Sequence, residues 1–192
     1  MKRGKGFTLI ELLIVVAIIG ILAALLIPNA MTAMQKAKQK STMKSMTTIS
    51  TALTDYVTDN GQLPEQSAQL ESAEDAFLAN LQPFYVKICP WADEWGNGFY
   101  IYTRDSVTDT VFDVTLTAGA YGNDSFLIGS VGRDGSPGGG PDPSYDETSG
   151  SSETGFYAVN SMDDFNADLV MLEGNWVIAP RVRGGGTGSS GS

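Results

Sequence analysis

Apolar positions are continuous near the start of the chain and periodic after it. Residues 7–27 contain two polar side chains, Thr8 and Glu11, and residues 12–27 contain none. At about 1.5 Å per residue, a helix of that length spans roughly 30 Å, the hydrocarbon thickness of a bilayer. Beyond Pro28 the pattern changes. Met43, Met46, Ile49, Leu53 and Tyr56 recur at intervals of three or four, which makes one apolar stripe on a polar helix. Asn60-Gly61 supplies a stop, with Pro64 just beyond. The pattern predicts one helix over residues 7–59, membrane-spanning over 7–27 and amphipathic over 28–59. A shorter helix is predicted over 65–81. Strand-like runs follow at 99–102, 111–116, 125–128, 168–172 and 175–179. The last two flank Glu173-Gly174, as in a two-residue hairpin loop. The predicted class is α+β: a long N-terminal α-helix packed on a small antiparallel β-sheet head over residues 60–183. Residues 129–168 form an acidic, glycine-rich loop within it, and 184–192 read as flexible coil.

Charge sharpens this division. Residues 1–44 carry seven Lys or Arg and one acid, whereas residues 45–192 carry five and 21, a net of −16. Such a head repels nucleic acid. Lys2, Arg3 and Lys5 stand directly before the apolar run and favour a cytoplasmic N-terminus. Lys36, Lys38, Lys40 and Lys44 act in the opposite sense from the other end, but from farther away. The single cysteine, Cys89, excludes a disulfide within the chain. With no histidine, Ser-His-Asp and Cys-His catalysis and histidine-based zinc sites are excluded too. No nucleotide-binding glycine motif occurs. An enzyme is not expected.

An acid one turn into a membrane-length helix is costly and usually functional. Glu11 either snorkels to the headgroups or meets a cation. Cleavage between Gly6 and Phe7 would create such a cation, the α-amino group of Phe7. The glutamate of one chain would then neutralise the amine of a neighbour. Gly6-Phe7-Thr8-Leu9-Ile10-Glu11 resembles the prepilin cleavage and methylation motif of type IV pilins and type II secretion pseudopilins. The resemblance implies a peptidase cut after Gly6, N-methylation of Phe7, and registration of each incoming subunit by Glu11. Pro28 matches a family proline that often kinks or locally melts the helix, as loss of an N–H donor suggests.

Three pieces of the head extend the resemblance. Asp93-Glu94-Trp95-Gly96-Asn97-Gly98-Phe99 resembles the D-P-W-G-N-P-F/Y segment of the type II secretion major pseudopilin, with Glu94 and Gly98 at its two proline positions. Residues 126–135 resemble that family's Y-x-L-x-S-x-G-x-D-G, and 166–169 its D/A-D-I ending. Residues 111–116 look like an added strand. In that family the loop binds calcium, which replaces the disulfide of pilins. Carried over by position, Ser130 would offer its carbonyl, and Asp134 and Asp168 their carboxylates. The interval between these aspartates is longer here than in the family, so Asp142 and Asp164 are further candidates. Calcium takes six to eight oxygen ligands. From the residues alone, a merely solvated acidic loop fits better, and the resemblance is what favours a calcium site.

The expectation is a non-enzymatic pseudopilin subunit. It is made in the inner membrane with its N-terminus cytoplasmic and its head periplasmic, in contact with lipid. After processing by the prepilin peptidase it polymerises as a homo-polymer. Minor pseudopilins and an inner-membrane assembly platform are the further partners, and calcium is the one cofactor expected. The product is a periplasmic filament that drives export across the outer membrane. The alternative is a type IV pilin of a surface filament for adhesion or motility, opposed by the missing cystine. A membrane-tethered binding domain that never polymerises is opposed by Glu11.

Overall fold

The computed structural model describes residues 7–138, 144–149 and 155–181; Gly6, Asp142 and the tail 184–192 lie outside them. The chain divides into two compact units, Met1–Ala37 and Lys38–Ser192. One helix, α1 (Leu9–Asn60), contributes to both.

In the first unit α1 begins with an apolar run that no described residue buries. Its most apolar 18-residue window has a mean hydropathy of 3.1, and none of it is buried. Pro28 sits inside the helix without ending it. Proline has no N–H for the carbonyl four residues back. Side chains add bonds on either side of that gap. Asn29 Nδ2 donates to the Leu25 carbonyl and Thr32 Oγ1 to the Pro28 carbonyl, each at 3.1 Å. The local melting implied by the resemblance is absent.

In the second unit α1 becomes the spine of a packed head. Met46, Ile49 and Leu53 are fully buried, and Met43 and Tyr56 pack partly buried beside them. Each fully buried side chain of this size contributes about 1.5–3 kcal/mol. Among the described residues eight strands follow: β1 (Ser67–Gln69), β2 (Tyr100–Thr103), β3 (Val114–Thr115), β4 (Phe126–Ser130), β5 (Tyr145–Asp146), β6 (Phe156–Tyr157), β7 (Leu169–Leu172) and β8 (Asn175–Pro180). Six form one sheet in the order β1-β2-β4-β7-β8-β6, antiparallel except where β6 runs parallel to β8. β3 and β5 pair separately and in parallel. Glu173 and Gly174 join β7 to β8 with φ of 48° and 84°. That is the doubly left-handed two-residue turn expected from the sequence.

Alternation along the central strands explains their unbroken apolar runs. Phe126, Ile128, Leu169 and Met171 pack with the α1 stripe. Leu127, Val170 and Leu172 point the other way, into a second core with Val107, Phe112 and Val177. A sheet covered on both faces needs no polar side. The second face is closed by Val114, Leu116, Tyr121, Tyr145 and Tyr157, all from the segments around β3, β5 and β6.

Two predicted elements differ. The helix expected over 65–81 is reduced to α2 (Ala76–Leu81), capped by Asp75, whose Oδ1 accepts from Phe77 N at 2.9 Å. Residues 67–69 join the sheet instead, because pairing with β2 outweighs a weak helical preference. Thr103 fixes that entry by donating to the Pro64 carbonyl at 2.8 Å. The run at 111–116 yields only the two-residue β3, while Phe112 plugs the second core with its ring against Gly129.

Gly98 permits the docking of β1. A Cβ on it would stand 1.9 Å from the Leu70 carbonyl oxygen. The Leu70 N–H itself donates to the Phe99 carbonyl at 2.8 Å. Gly98→Ala is therefore expected to cost more than about 2 kcal/mol, read as a lowered midpoint in thermal unfolding of the detergent-solubilised protein.

Candidate functional site

The start of α1 is closed by its own side chains. Thr8 is the residue before the helix, and Glu11 is its third residue. Glu11 Oε2 accepts from Thr8 N at 2.9 Å and from Thr8 Oγ1 at 2.7 Å, while Glu11 N donates to Thr8 Oγ1 at 3.3 Å. This is a reciprocal capping box, which satisfies backbone donors that a helix start otherwise leaves open. The T-x-x-E spacing was the available signal for it. These bonds engage Oε2, and Oε1 takes no part in them. Phe7, beside the cap, is 80% exposed. The expected cut lies at Gly6, outside the described residues.

In the head, two of the motif pieces converge. Asp93 is buried, and its Oδ1 accepts from the backbone N–H of Trp95 and of Asn97, both at 2.9 Å. Its Oδ2 accepts from Ser130 Oγ at 2.8 Å, at the end of β4. Asn97 Nδ2 reaches the Gly132 carbonyl at 2.9 Å. Gly132 has φ of +65°, and a Cβ there would lie 2.9 Å from each of the carbonyl oxygens of Phe165, Asn166 and Ala167. Only glycine fits both the conformation and the space. Glu94 replaces a motif proline and uses the N–H that proline lacks. That N–H donates to Thr42 Oγ1 at 3.2 Å, and Glu94 Oε1 accepts from Ser41 Oγ at 2.5 Å. The motif loop is thereby tied to α1.

Four of the five cation candidates lie among the described residues, each with hydrogen bonds of its own. Asp168 is 4% exposed, and its Oδ2 accepts from Gly138 N at 2.9 Å, so the loop folds back onto it. Ser130 is buried, and its hydroxyl is committed to Asp93. Asp134 is exposed and accepts from Ser136 N at 3.2 Å within its own turn. Asp164 Oδ2 accepts from Asn160 N at 2.7 Å and Ser161 N at 2.6 Å, and these amides hold its carboxyl below the usual carboxylate range. Asp142 lies outside the described residues. Among the described residues, no three acidic or cysteine side chains converge in a metal-holding group. Cys89 is buried, which pushes its thiol up to about 11 and keeps it protonated at neutral pH.

Asp93 and Asn97, absent from the sequence-level candidates, carry the junction. Asp93→Ala strands three donors and is expected to lower stability by about 2–4 kcal/mol. Asp163→Ala removes only the exposed pair with Arg133, at 3.5 Å, and is expected to cost less than about 1 kcal/mol. Thermal or denaturant unfolding of the two variants checks the ranking.

Comparison with known proteins agrees with this geometry. Residues 1–27 match the prokaryotic N-terminal methylation motif, and residues 29–145 match the type II secretion system (T2SS), protein G family. The chain is 35% identical to the type II secretion system core protein G of Escherichia coli (strain K12), over 52% of this chain and 72% of that protein. Against the protein of the same description from Vibrio cholerae, identity is 34% over 65% and 86% of the two chains. For that of Pseudomonas aeruginosa it is 36% over 51% and 72%. No solved structure matches the chain. With a methylation motif on the capped helix and a protein G domain on the head it carries, this chain belongs to the type II secretion system protein G family.

Proposed function

We propose that this family member is cut after Gly6 by a prepilin peptidase, N-methylated on Phe7 and polymerised with copies of itself into a type II secretion pseudopilus. The filament grows from an inner-membrane assembly platform, with minor pseudopilins as partners, and drives protein export across the outer membrane. Before assembly the head is periplasmic and the N-terminus cytoplasmic. The observation that carries this reading is the wholly unburied apolar half of α1. Such a surface is stable in lipid or against copies of itself, not in water. The role is structural and needs no catalytic group.

The capping box refines what Glu11 does. In the separate chain the carboxylate serves its own helix. In the filament it also neutralises the amine of a neighbouring Phe7. Substitutions separate the two tasks, since glutamine can keep a capping box but carries no charge. Glu11→Gln is expected to be processed normally, keep its helix start and fail to assemble. Glu11→Ala loses both, with about 1 kcal/mol less stability at the helix end. Sedimentation of polymer and mass spectrometry of the N-terminal peptide read the two steps. Normal filaments from Glu11→Gln would remove the electrostatic role.

Calcium at the 129–168 loop is proposed as its fastener. The donors on hand are hard oxygens, which suit that ion. A nearly buried Asp168 and the loop returning to it through Gly138 support the fit. Ser130 would give its carbonyl, and Asp134 with Asp168 their carboxylates. Asp142 or Asp164 would complete the set. Bound calcium would supply the positive charge that this acidic head lacks. At a free concentration one hundred times Kd, the ion would add about 2.7 kcal/mol. A calcium chelator is therefore expected to lower the unfolding midpoint of the wild-type protein and to leave Asp168→Asn unchanged. An equal midpoint with and without chelator would overturn the calcium assignment and leave the pseudopilin reading intact.

A further inference from the structure

At the top of α1 the head forms an open cleft of about 290 Å³, lined by Asp55, Thr58, Asp59, Phe84 and Tyr85. Its aromatic wall is ordered. Tyr85 stacks edge-on with Phe84 at 4.9 Å and tilted on Tyr56 at 5.2 Å, and its hydroxyl accepts from Asn60 Nδ2 at 2.9 Å. Burial pushes the Tyr85 hydroxyl up, the Asn60 bond opposes this, and the charge of Asp59 adds to the rise. Yet Phe84 remains 81% exposed, and Ile88 beside it 76%. Two carboxylates beside two aromatic rings are the chemistry that receives an ammonium group.

Such a group stands on the same helix. Lys40 and Lys44 are exposed and four residues apart, as are Asp55 and Asp59. Neither like-charged pair is neutralised by an ion pair among the described residues. Like charges at that spacing oppose each other within a helix. The two pairs are offset by the same interval, so one chain carries both halves of a contact displaced by about 22 Å along the axis. One chain cannot close that contact on itself. A second copy shifted along the helix can, and a head-to-tail contact of this kind propagates into a filament.

We propose that the cleft of Asp55, Asp59, Phe84 and Tyr85 receives Lys40 or Lys44 of a neighbouring copy. This rests on the pseudopilus reading and names one of its side-to-side contacts. It also relieves the repulsion that crowding heads of net charge −16 would otherwise meet.

The test uses the full-length chain, co-expressed with its processing and assembly proteins. Asp55→Lys with Asp59→Lys is expected to reduce sedimentable polymer by about tenfold or more. Adding Lys40→Asp with Lys44→Asp in the same chain is expected to restore it. Because a reversed variant can fail by misfolding, a second measurement uses two chains, one with Lys44→Cys and one with Asp59→Cys. Together in polymer they should give a disulfide-linked dimer, and neither alone should. Wild-type polymer with neither a reversal effect nor a cross-link would overturn this contact while sparing the pseudopilus. Absence of wild-type polymer would overturn the pseudopilus reading and this contact with it.

Discussion

One helix must satisfy two media, and the rest of the structure follows from that demand. The first half of α1 carries an apolar run that no described residue buries. The second half is apolar along a single stripe, and the head is built on it. Met46, Ile49 and Leu53 are the seam between helix and sheet. Loosening that seam would detach the helix's anchor from its cargo domain. A covered first half would have nothing left to offer lipid or a neighbour.

Much of this was legible in the sequence because the signals were periodic. The three-and-four spacing from Met43 to Tyr56 located the seam, and the apolar run from Leu12 located the membrane half. The hairpin at Glu173-Gly174 followed from turn chemistry alone. What stayed hidden was tertiary. Residues 67–69 carry a helical composition, but their carbonyls and amides find partners on β2. Phe112 sits in a run that reads as a strand, while its burial comes from a ring-sized space above Gly129. The methylation motif was plain. The reciprocal bonding of Thr8 and Glu11 inside it was not, because one T-x-x-E spacing serves both a cap and a buried charge.

The head motif shows how a pattern can persist while its chemistry is rebuilt. Asp93 holds Trp95, Asn97 and Ser130 through one carboxylate, so protein groups lock two distant pieces of chain together. The two positions that depart from the resembled motif are both explained by contacts. Glu94 contributes an amide and a carboxylate to α1. Gly98 makes room for Leu70. Each departure removes a rigid ring and gains an interaction that the ring forbids.

The outermost strands of the six-stranded sheet are its shortest, β1 with three residues and β6 with two. A long bare margin would recruit foreign backbone and glue heads together through unplanned strand addition. These stubs deny that option. In the proposed assembly, contacts between copies would then fall to the exposed apolar helix and to side chains, not to bare strand edges.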